Sequence, residues 1–418
     1  MKSKILIILL NVVRIIFGIT FIFSGFVKAI DPMGSAYKFL DYFRAFDMTW
    51  LNNFAIPMAV VLATLEFLVG VCVLIGLFRS IATKLGLLFM TFFTPLTLYL
   101  AIANPVKDCG CFGDAITLTN WETFYKNIFL LAFAIILYMY NDKLKPLFSE
   151  RYRFLPLSYF ICLSVGISLI GLINLPIIDF RPFKVGVNIR EEMKVDNSNE
   201  RYVLVYEKDG VKQEFDIENY PSDSTWTFVE TKTIVDEEAM QPTILDFFVT
   251  DAFDNDLTEE LLNDATPTFL LISPDWSISD DSYVHKFNDL YEYTQEKGYN
   301  FYAVSSQNEA KEMEWADGTG AQYPFLYSDA TILETIIRSR PGLVMLIDGT
   351  IIWKQHPRSI PSTEVIEQQI EDYNNGIVEK NDDSKVILMC ILLLFVPIIL
   401  FLSSDKLLSV GKAKTEKE

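Results

Sequence analysis

Six apolar runs constrain this chain more than any other feature: they cover about 5–29, 57–78, 82–104, 122–140, 155–178 and 385–403. A helix rises about 1.5 Å per residue, so roughly 20 residues cross the hydrocarbon of a bilayer. Runs of this length with so few charges predict six transmembrane helices. The first invites a second reading, a cleaved signal peptide. Its apolar stretch is too long for that, and no small-x-small cleavage site follows it.

The charges sort sharply between the runs. The chain of 418 residues carries a net charge of −19, yet residues 181–384 alone hold 41 Asp+Glu against 16 Lys+Arg, a net −25 that leaves +6 for the rest. An acidic block of that size between the fifth and sixth runs predicts a soluble domain. Its sign argues against nucleic acid as a partner, since phosphates demand a basic surface. Lys2 and Lys4, then Arg79 and Lys84, then Lys143, Lys145, Arg151 and Arg153, then Lys406, Lys412, Lys414 and Lys417 flank the runs. All four clusters share one side if each run crosses once, and the positive-inside rule makes that side cytoplasmic. Both termini are then expected in the cytoplasm and the chain in the inner membrane. The segments 30–56, 105–121 and 181–384 are expected to be extracytoplasmic.

That topology gives meaning to Asp108-Cys109-Gly110-Cys111-Phe112-Gly113-Asp114, a short loop between the third and fourth runs. Thiols outside the cytoplasm are oxidised unless something keeps them reduced. A Cys-x-Cys disulfide closes a very small ring, and strained bonds of that kind are labile and comparatively oxidising. Gly110 removes the side-chain clash such a ring would meet. Gly113 and Asp114 supply turn chemistry, and Lys126, about one turn into the fourth run, is placed to favour a thiolate. Three readings stand open: a redox-active pair at Cys109 and Cys111, a structural or inert pair, and a metal site. The last needs further ligands, because two thiolates do not complete a tetrahedron. Cys72, Cys162 and Cys390 each stand alone in a run and read as small apolar residues.

Ionisable residues inside hydrocarbon are costly and usually face a bundle interior in pairs. Arg14 lies near the middle of the first run and Glu66 near the middle of the second. Their depths predict that they meet, either as a structural ion pair or as the lining of a polar pocket. Gly70 and Gly76 predict close helix approach. Between the first two runs, the aromatic and charged residues 37–43 predict a helix lying in the interface, a lid over the outer end of the bundle.

Several of these residues carry a resemblance. Arg14-Ile-Ile-Phe-Gly18, Phe23-Ser24-Gly25-Phe-Val-Lys28 and Asp31-Pro32 resemble the first helix of DoxX-type membrane proteins, and Glu66-Phe-Leu-Val-Gly70 with Gly76 resembles their second. The Cys109-Gly110-Cys111-Phe112-Gly113 loop is similar to that of the MauE branch of the same superfamily, which is linked to disulfide formation in an extracytoplasmic enzyme subunit. The likeness covers residues 5–140, about a third of the chain. It implies a four-helix bundle with Cys109 and Cys111 as exchanging thiols and Arg14, Glu66, Asp114 and Lys126 in support. By analogy with other small membrane thiol oxidases, a quinone is the natural electron acceptor. The long acidic insertion resembles extensions in such proteins from Bacteroidota.

The insertion reads in two parts. Tyr202–Tyr206 and Val211–Phe215 predict a hairpin about an Asp209-Gly210 turn, with further strands at Thr227–Ile234 and Ile244–Val249. From Pro267 the pattern turns α/β. Strands are predicted at 269–272, 301–304, 343–347 and 351–354, and helices at about 281–297, 308–317, 330–339 and 362–373. This order resembles a thioredoxin fold. Pro341 matches that fold's cis-proline, and Trp276 stands where a Trp precedes the redox Cys-x-x-Cys. Ser277-Ile278-Ser279-Asp280 replaces the motif, so the domain cannot itself exchange thiols. Trp276 and Pro341 are instead expected to form a polypeptide groove or to dock the domain over the Cys loop; a plain spacer is the third reading.

The expected architecture is thus a polytopic α-helical membrane protein with an α+β extracytoplasmic domain containing a degenerate thioredoxin-like α/β fold. Its parts are a four-helix domain (1–142), a turn and fifth helix (143–180), a strand-rich part (181–266), a thioredoxin-like part (267–380), and a sixth helix with a basic tail (385–418). Two functions follow. One is a membrane thiol–disulfide oxidoreductase with an extracytoplasmic protein client. The other is a non-catalytic assembly or scaffolding protein whose outer domain binds an envelope partner. Transport fits less well, because no pair of broken helices marks a midplane site.

Overall fold

The computed structural model describes residues 2–106, 108–149, 153–194, 201–208, 211–216, 225–234, 242–245, 247–306, 309–378 and 383–415. Six stretches are long and apolar enough to cross a bilayer: Lys4–Ile30, Thr49–Ile75, Arg79–Ala103, Asn120–Met139, Phe154–Ile173 and Asp383–Ser404. The protein is therefore a multi-pass membrane protein. Its first helices are α1 (Lys2–Ile30), α2 (Pro32–Ala45), α3 (Ala55–Ile75), α4 (Arg79–Ala103), α5 (Asn120–Met139) and α6 (Phe154–Ile173).

Glycines set the register of α1 against α3. A Cβ at Gly70 would lie 2.5 Å from the Ile22 nitrogen, and one at Gly25 would meet the Phe67 backbone. These contacts run antiparallel, so Glu66 falls opposite Ser24 while Arg14 falls opposite the last turn of α3. The expected Arg14–Glu66 pair does not form. Arg14 instead donates from Nε to the Val73 carbonyl (2.8 Å) and from Nη1 to that of Lys145 (3.1 Å). It closes the end of α3, where helix carbonyls lack partners.

Helix α2 begins on Asp31, whose carboxylate accepts from the Gly34 N–H at 2.8 Å, with Pro32 at the first helical position. It lies across one end of the bundle, as the aromatic and charged residues 37–43 predict, and buries Met33, Ala36, Tyr37 and Phe43. Helix α5 begins with a reciprocal capping box between Thr119 and Glu122.

Beyond α6 come α7 (Ile189–Glu192) and the strands β1 (Arg201–Lys208), β2 (Val211–Asp216) and β3 (Thr227–Ile234), an antiparallel sheet ordered β2-β1-β3. The expected Asp209-Gly210 turn lies outside the described residues. Of the stretch 244–249, expected as a strand, the described residues (244, 245 and 247–249) form none. Ile244, Phe247 and Val249 sink into the core, but the ladder there is reduced to an isolated bridge from Thr250 to Tyr327.

The remainder contains α8 (Thr258–Asn263), β4 (Thr268–Ile272), α9 (Val284–Lys297), β5 (Asn300–Ser305), α10 (Glu309–Thr319), β6 (Phe325–Tyr327), α11 (Ala330–Ile336), β7 (Gly342–Ile347), β8 (Thr350–Gln355), α12 (Thr363–Asn374) and α13 (Asp383–Thr415). The sheet order is β6-β5-β4-β7-β8, with β4, β5 and β6 parallel and β7 and β8 antiparallel to their neighbours. Strands β4 and β7 are buried along their whole length, as strands covered on both faces must be. Phe269, Leu271, Leu343 and Met345 point to the face covered by α9, α10 and α12, and Leu270, Ile272, Val344 and Leu346 to the face covered by α8 and α11. The peptide Arg340–Pro341 is cis and immediately precedes β7. This is the thioredoxin-like arrangement that the element order predicts.

Candidate functional site

The two thiols of the Cys loop meet. Cys109 Sγ and Cys111 Sγ are free and 2.8 Å apart, so a small closing movement makes the bond of about 2.05 Å that a disulfide requires. Gly110 between them has φ +66, and a Cβ there would lie 2.9 Å from Lys38 Cγ. Both facts call for glycine at this position.

Each part of the loop is anchored. Asp108 pairs with Lys38 of α2 at 2.6 Å and also accepts from the Gly110 N–H at 2.9 Å. The Tyr42 hydroxyl donates to the Cys109 carbonyl at 3.0 Å. The ammonium of Lys28 donates to the Cys111 carbonyl (2.5 Å), to Glu66 Oε2 (2.8 Å) and to Ser24 Oγ (2.7 Å). Those three acceptors satisfy its three N–H donors. Ser24 in turn lies 2.8 Å from Glu66 Oε2 and 2.7 Å from the Cys111 carbonyl. Glu66 thus does belong to the site, with Lys28 rather than Arg14 as its partner, and Arg14 stands at the far end of the bundle.

The two sulfurs are electrostatically unequal. Cys111 is pulled down to about 6 by the Cys109 S–H that donates to it and by the ammonium charges of Lys126 and Lys28, against burial and Glu66. Cys109 is pushed well above its ordinary range by donating to Cys111 and by burial. The charges of Lys126 and Lys28 thus favour the thiolate, the nucleophilic form, at Cys111. Lys126 sits as expected at the loop end of α5, with Nζ 4.0 Å above the ring of Phe112, which packs edge-on against Phe23. Burial, reinforced by the two sulfurs, raises the Tyr42 phenol, so it stays protonated as a donor.

The thiols open into a cavity of about 810 Å³ between the α1–α3 and α4–α5 pairs, roofed by α2. One end carries Cys109, Cys111, Lys28, Glu66, Lys38 and Lys126; most of the rest is apolar, with Phe21, Phe39, Phe89, Phe93 and Leu130 among its walls and Thr20 and Asn127 as polar exceptions. Lining residues on α3 and α4 lie on the outward faces of their helices, Val61 at 56% exposure and Phe92 at 64%. The cavity therefore opens sideways toward the hydrocarbon.

The α/β domain reaches the same loop. Arg338 pairs with Asp31 at 2.9 Å and with Asp114 at 2.6 Å, and Arg340 Nε donates to the Tyr37 hydroxyl at 3.0 Å. Of the two uses expected for Pro341, the segment before it is docked on the bundle. Trp276 is only 3% exposed and packs on Trp315 with ring centroids 4.8 Å apart. It is a core residue here and presents no surface to a partner. Sequence reasoning gave Lys28, Ser24, Tyr42, Lys38 and Arg338 no role at the thiols, although Ser24 and Lys28 stood in the first-helix resemblance and Lys38 and Tyr42 in the expected lid. The Ser24-x-x-x-Lys28 spacing, which puts both side chains on one helix face, was a signal that they act together.

Residues 6–140 match the family model described as methylamine utilisation protein MauE, and residues 200–238 match a domain of unknown function (DUF8463). The first four spans are thus of MauE type. No curated protein matches the chain. Among solved structures, one from Bacteroides thetaiotaomicron described as a candidate protein disulfide isomerase is 13% identical, with a TM-score of 0.25, covering 32% of this chain and 86% of that one. Peroxidoxin BcpB from Mycobacterium tuberculosis is 12% identical, with a TM-score of 0.23, covering 31% of this chain and 91% of that one. An uncharacterized conserved protein from Geobacillus kaustophilus is 20% identical, with a TM-score of 0.22, covering 32% and 82%.

Proposed function

We propose that this protein is a membrane thiol–disulfide oxidoreductase in which Cys109 and Cys111 exchange electrons between an extracytoplasmic protein client and a membrane quinone. The observation that carries the reading is the thiol pair itself, 2.8 Å apart at the polar end of a bilayer-open apolar cavity. The basic residues flanking the spans support an inner-membrane orientation with both termini cytoplasmic and the Cys loop outside.

The residues divide the work as follows. A client thiolate attacks the Cys109–Cys111 disulfide and the client's second thiol displaces the mixed disulfide, so the client gains a disulfide and the pair is left as the Cys109 thiol and the Cys111 thiolate. Closing the Cys109–Cys111 bond again releases two electrons and the one proton of the Cys109 thiol. A quinone held in the cavity would supply the two-electron acceptor, its second proton coming from water. The fit rests on the cavity's volume, its apolar walls and its single polar end, where Lys126 favours the thiolate and the Lys28–Glu66 pair fixes the loop. Tyr42 holds the Cys109 carbonyl, which keeps the two sulfurs facing each other.

A scaffold with structural cysteines is the competing reading, supported by the docked domain without thiols of its own. Reduced protein in nanodiscs, mixed with a short-tailed quinone, separates the two. The oxidoreductase loses both Cys109 and Cys111 thiols and yields one hydroquinone per protein. Retention of both thiols after prolonged incubation contradicts it.

A further inference from the structure

The thioredoxin-like domain has no thiol motif, yet its Arg338–Pro341 segment is the part that touches the Cys loop. Arg338 is 7% exposed and is held from three directions. Asp31, the cap of α2, takes Nε, Asp114 of the Cys loop takes Nη2, and the Glu334 carbonyl of its own domain takes Nη1 at 2.5 Å. A guanidinium with its planar fork filled in this way cannot swing without abandoning two partly buried carboxylates. Arg340 continues the grip: it lies 4.6 Å above the Tyr37 ring while Arg338 lies 5.2 Å from it.

The grip is double. Through Asp114 the domain holds the Cys loop directly. Through Asp31 and Tyr37 it holds α2, the helix whose Lys38 and Tyr42 anchor Asp108 and the Cys109 carbonyl. We propose that Arg338 is a positioning residue, and that the domain is a built-in clamp which sets the reactivity of the thiol pair without exchanging thiols. This rests on the Cys pair being the working group, and its test reads thiol acidity rather than turnover.

The groups that face Cys111 are Lys28 from α1, Glu66 from α3, Lys126 from α5, Tyr42 and Lys38 from α2, and Cys109 and Asp108 from its own loop. A loop released at Asp114 lets the sulfur drift from both ammonium groups, and its pKa then returns toward the ordinary thiol value of about 8.5.

The experiment follows iodoacetamide labelling of reduced full-length protein in nanodiscs from pH 5 to 9, with the label mapped to Cys111 by peptide mass spectrometry. Arg338→Ala is expected to shift the labelling midpoint upward and to slow labelling at pH 7 by about tenfold, with Arg338→Lys recovering part of the rate. Asp114→Asn leaves the Arg338–Asp31 pair intact and guards against misfolding; it should shift the midpoint in the same direction. Midpoints for both Arg338→Ala and Asp114→Asn that equal the parent's overturn the clamp and leave the domain a passive platform. Quinone-driven oxidation of the thiols tests the redox reading separately, so the two ideas fail on different measurements.

Discussion

Lys28 and Glu66 form an ion pair of 2.8 Å in which both side chains are less than a tenth exposed, and the lysine's remaining donors hold Ser24 and the Cys111 carbonyl. A charge pair inside the bundle is thereby wired to the backbone of the thiol loop. Removing one partner of a buried pair leaves the other charge uncompensated and costs about 3–5 kcal/mol. Lys28→Met should lower the thermal unfolding midpoint in nanodiscs sharply. The double variant Lys28→Met/Glu66→Leu should recover most of the loss, because no lone charge is left. A double variant as unstable as the single one would show that the pair acts through something other than its charges.

Glu334 sits at the contact between the α/β domain and α2, 3.7 Å from Arg340. Burial raises its carboxyl to about 7, opposed in part by Arg340 and Arg338. A carboxyl raised on folding contributes fully below its ordinary value of 4.5 and loses that contribution as pH rises through about 7. The unfolding midpoint should therefore fall between those pH values, and Glu334→Gln should flatten that part of the profile. Parent and variant profiles that run parallel contradict the assignment.

Asp179, just beyond α6, chelates Arg181 through both carboxylate oxygens (2.7 and 3.0 Å) and accepts from Lys354 of β8 at 2.5 Å. Burial opposes its ionisation, but the charges of Lys354 and Arg181 outweigh it and hold the carboxyl at about 2. The stabilisation is present above the ordinary value of 3.8 and is lost as pH falls toward 2. Asp179→Asn strands the Arg181 guanidinium and removes the counter-charge of Lys354, which burial already pulls down to about 7, and should cost about 3–5 kcal/mol in chemical denaturation at pH 7. A loss below about 1 kcal/mol, the scale of an exposed ion pair, would mean that water reaches the cluster.

The spans and the order of strands and helices were legible because apolar run length, strand and helix periodicity and turn chemistry are local signals; the cis-proline was expected only because that order resembles a thioredoxin fold. The pairing of Arg14 was not. Depth counted from the ends of a run ignores the register that Gly25 and Gly70 impose between helices. Lys28 stands at the end of α1, where an interfacial lysine ordinarily reaches for water, so nothing local marked it as buried. Ile244–Val249 has the apolar content of a strand, but its backbone partners lie elsewhere in the fold. The three residues of β6 are too short for any periodicity. Arg338 reads as an ordinary charge near the end of the helix expected at about 330–339 until a segment more than 200 positions away folds beneath it.

The central claim is that Cys109 and Cys111 cycle between thiol and disulfide. Trapping their redox state in intact cells with a membrane-permeant alkylating agent, with and without quinone depletion, tests it most directly. A cycling pair is expected as a mixture of forms that moves toward the dithiol when quinone is withdrawn, and the Cys109→Ser variant is expected to lose the cellular function. A pair fixed in one form under both conditions, with Cys109→Ser retaining function, would contradict it.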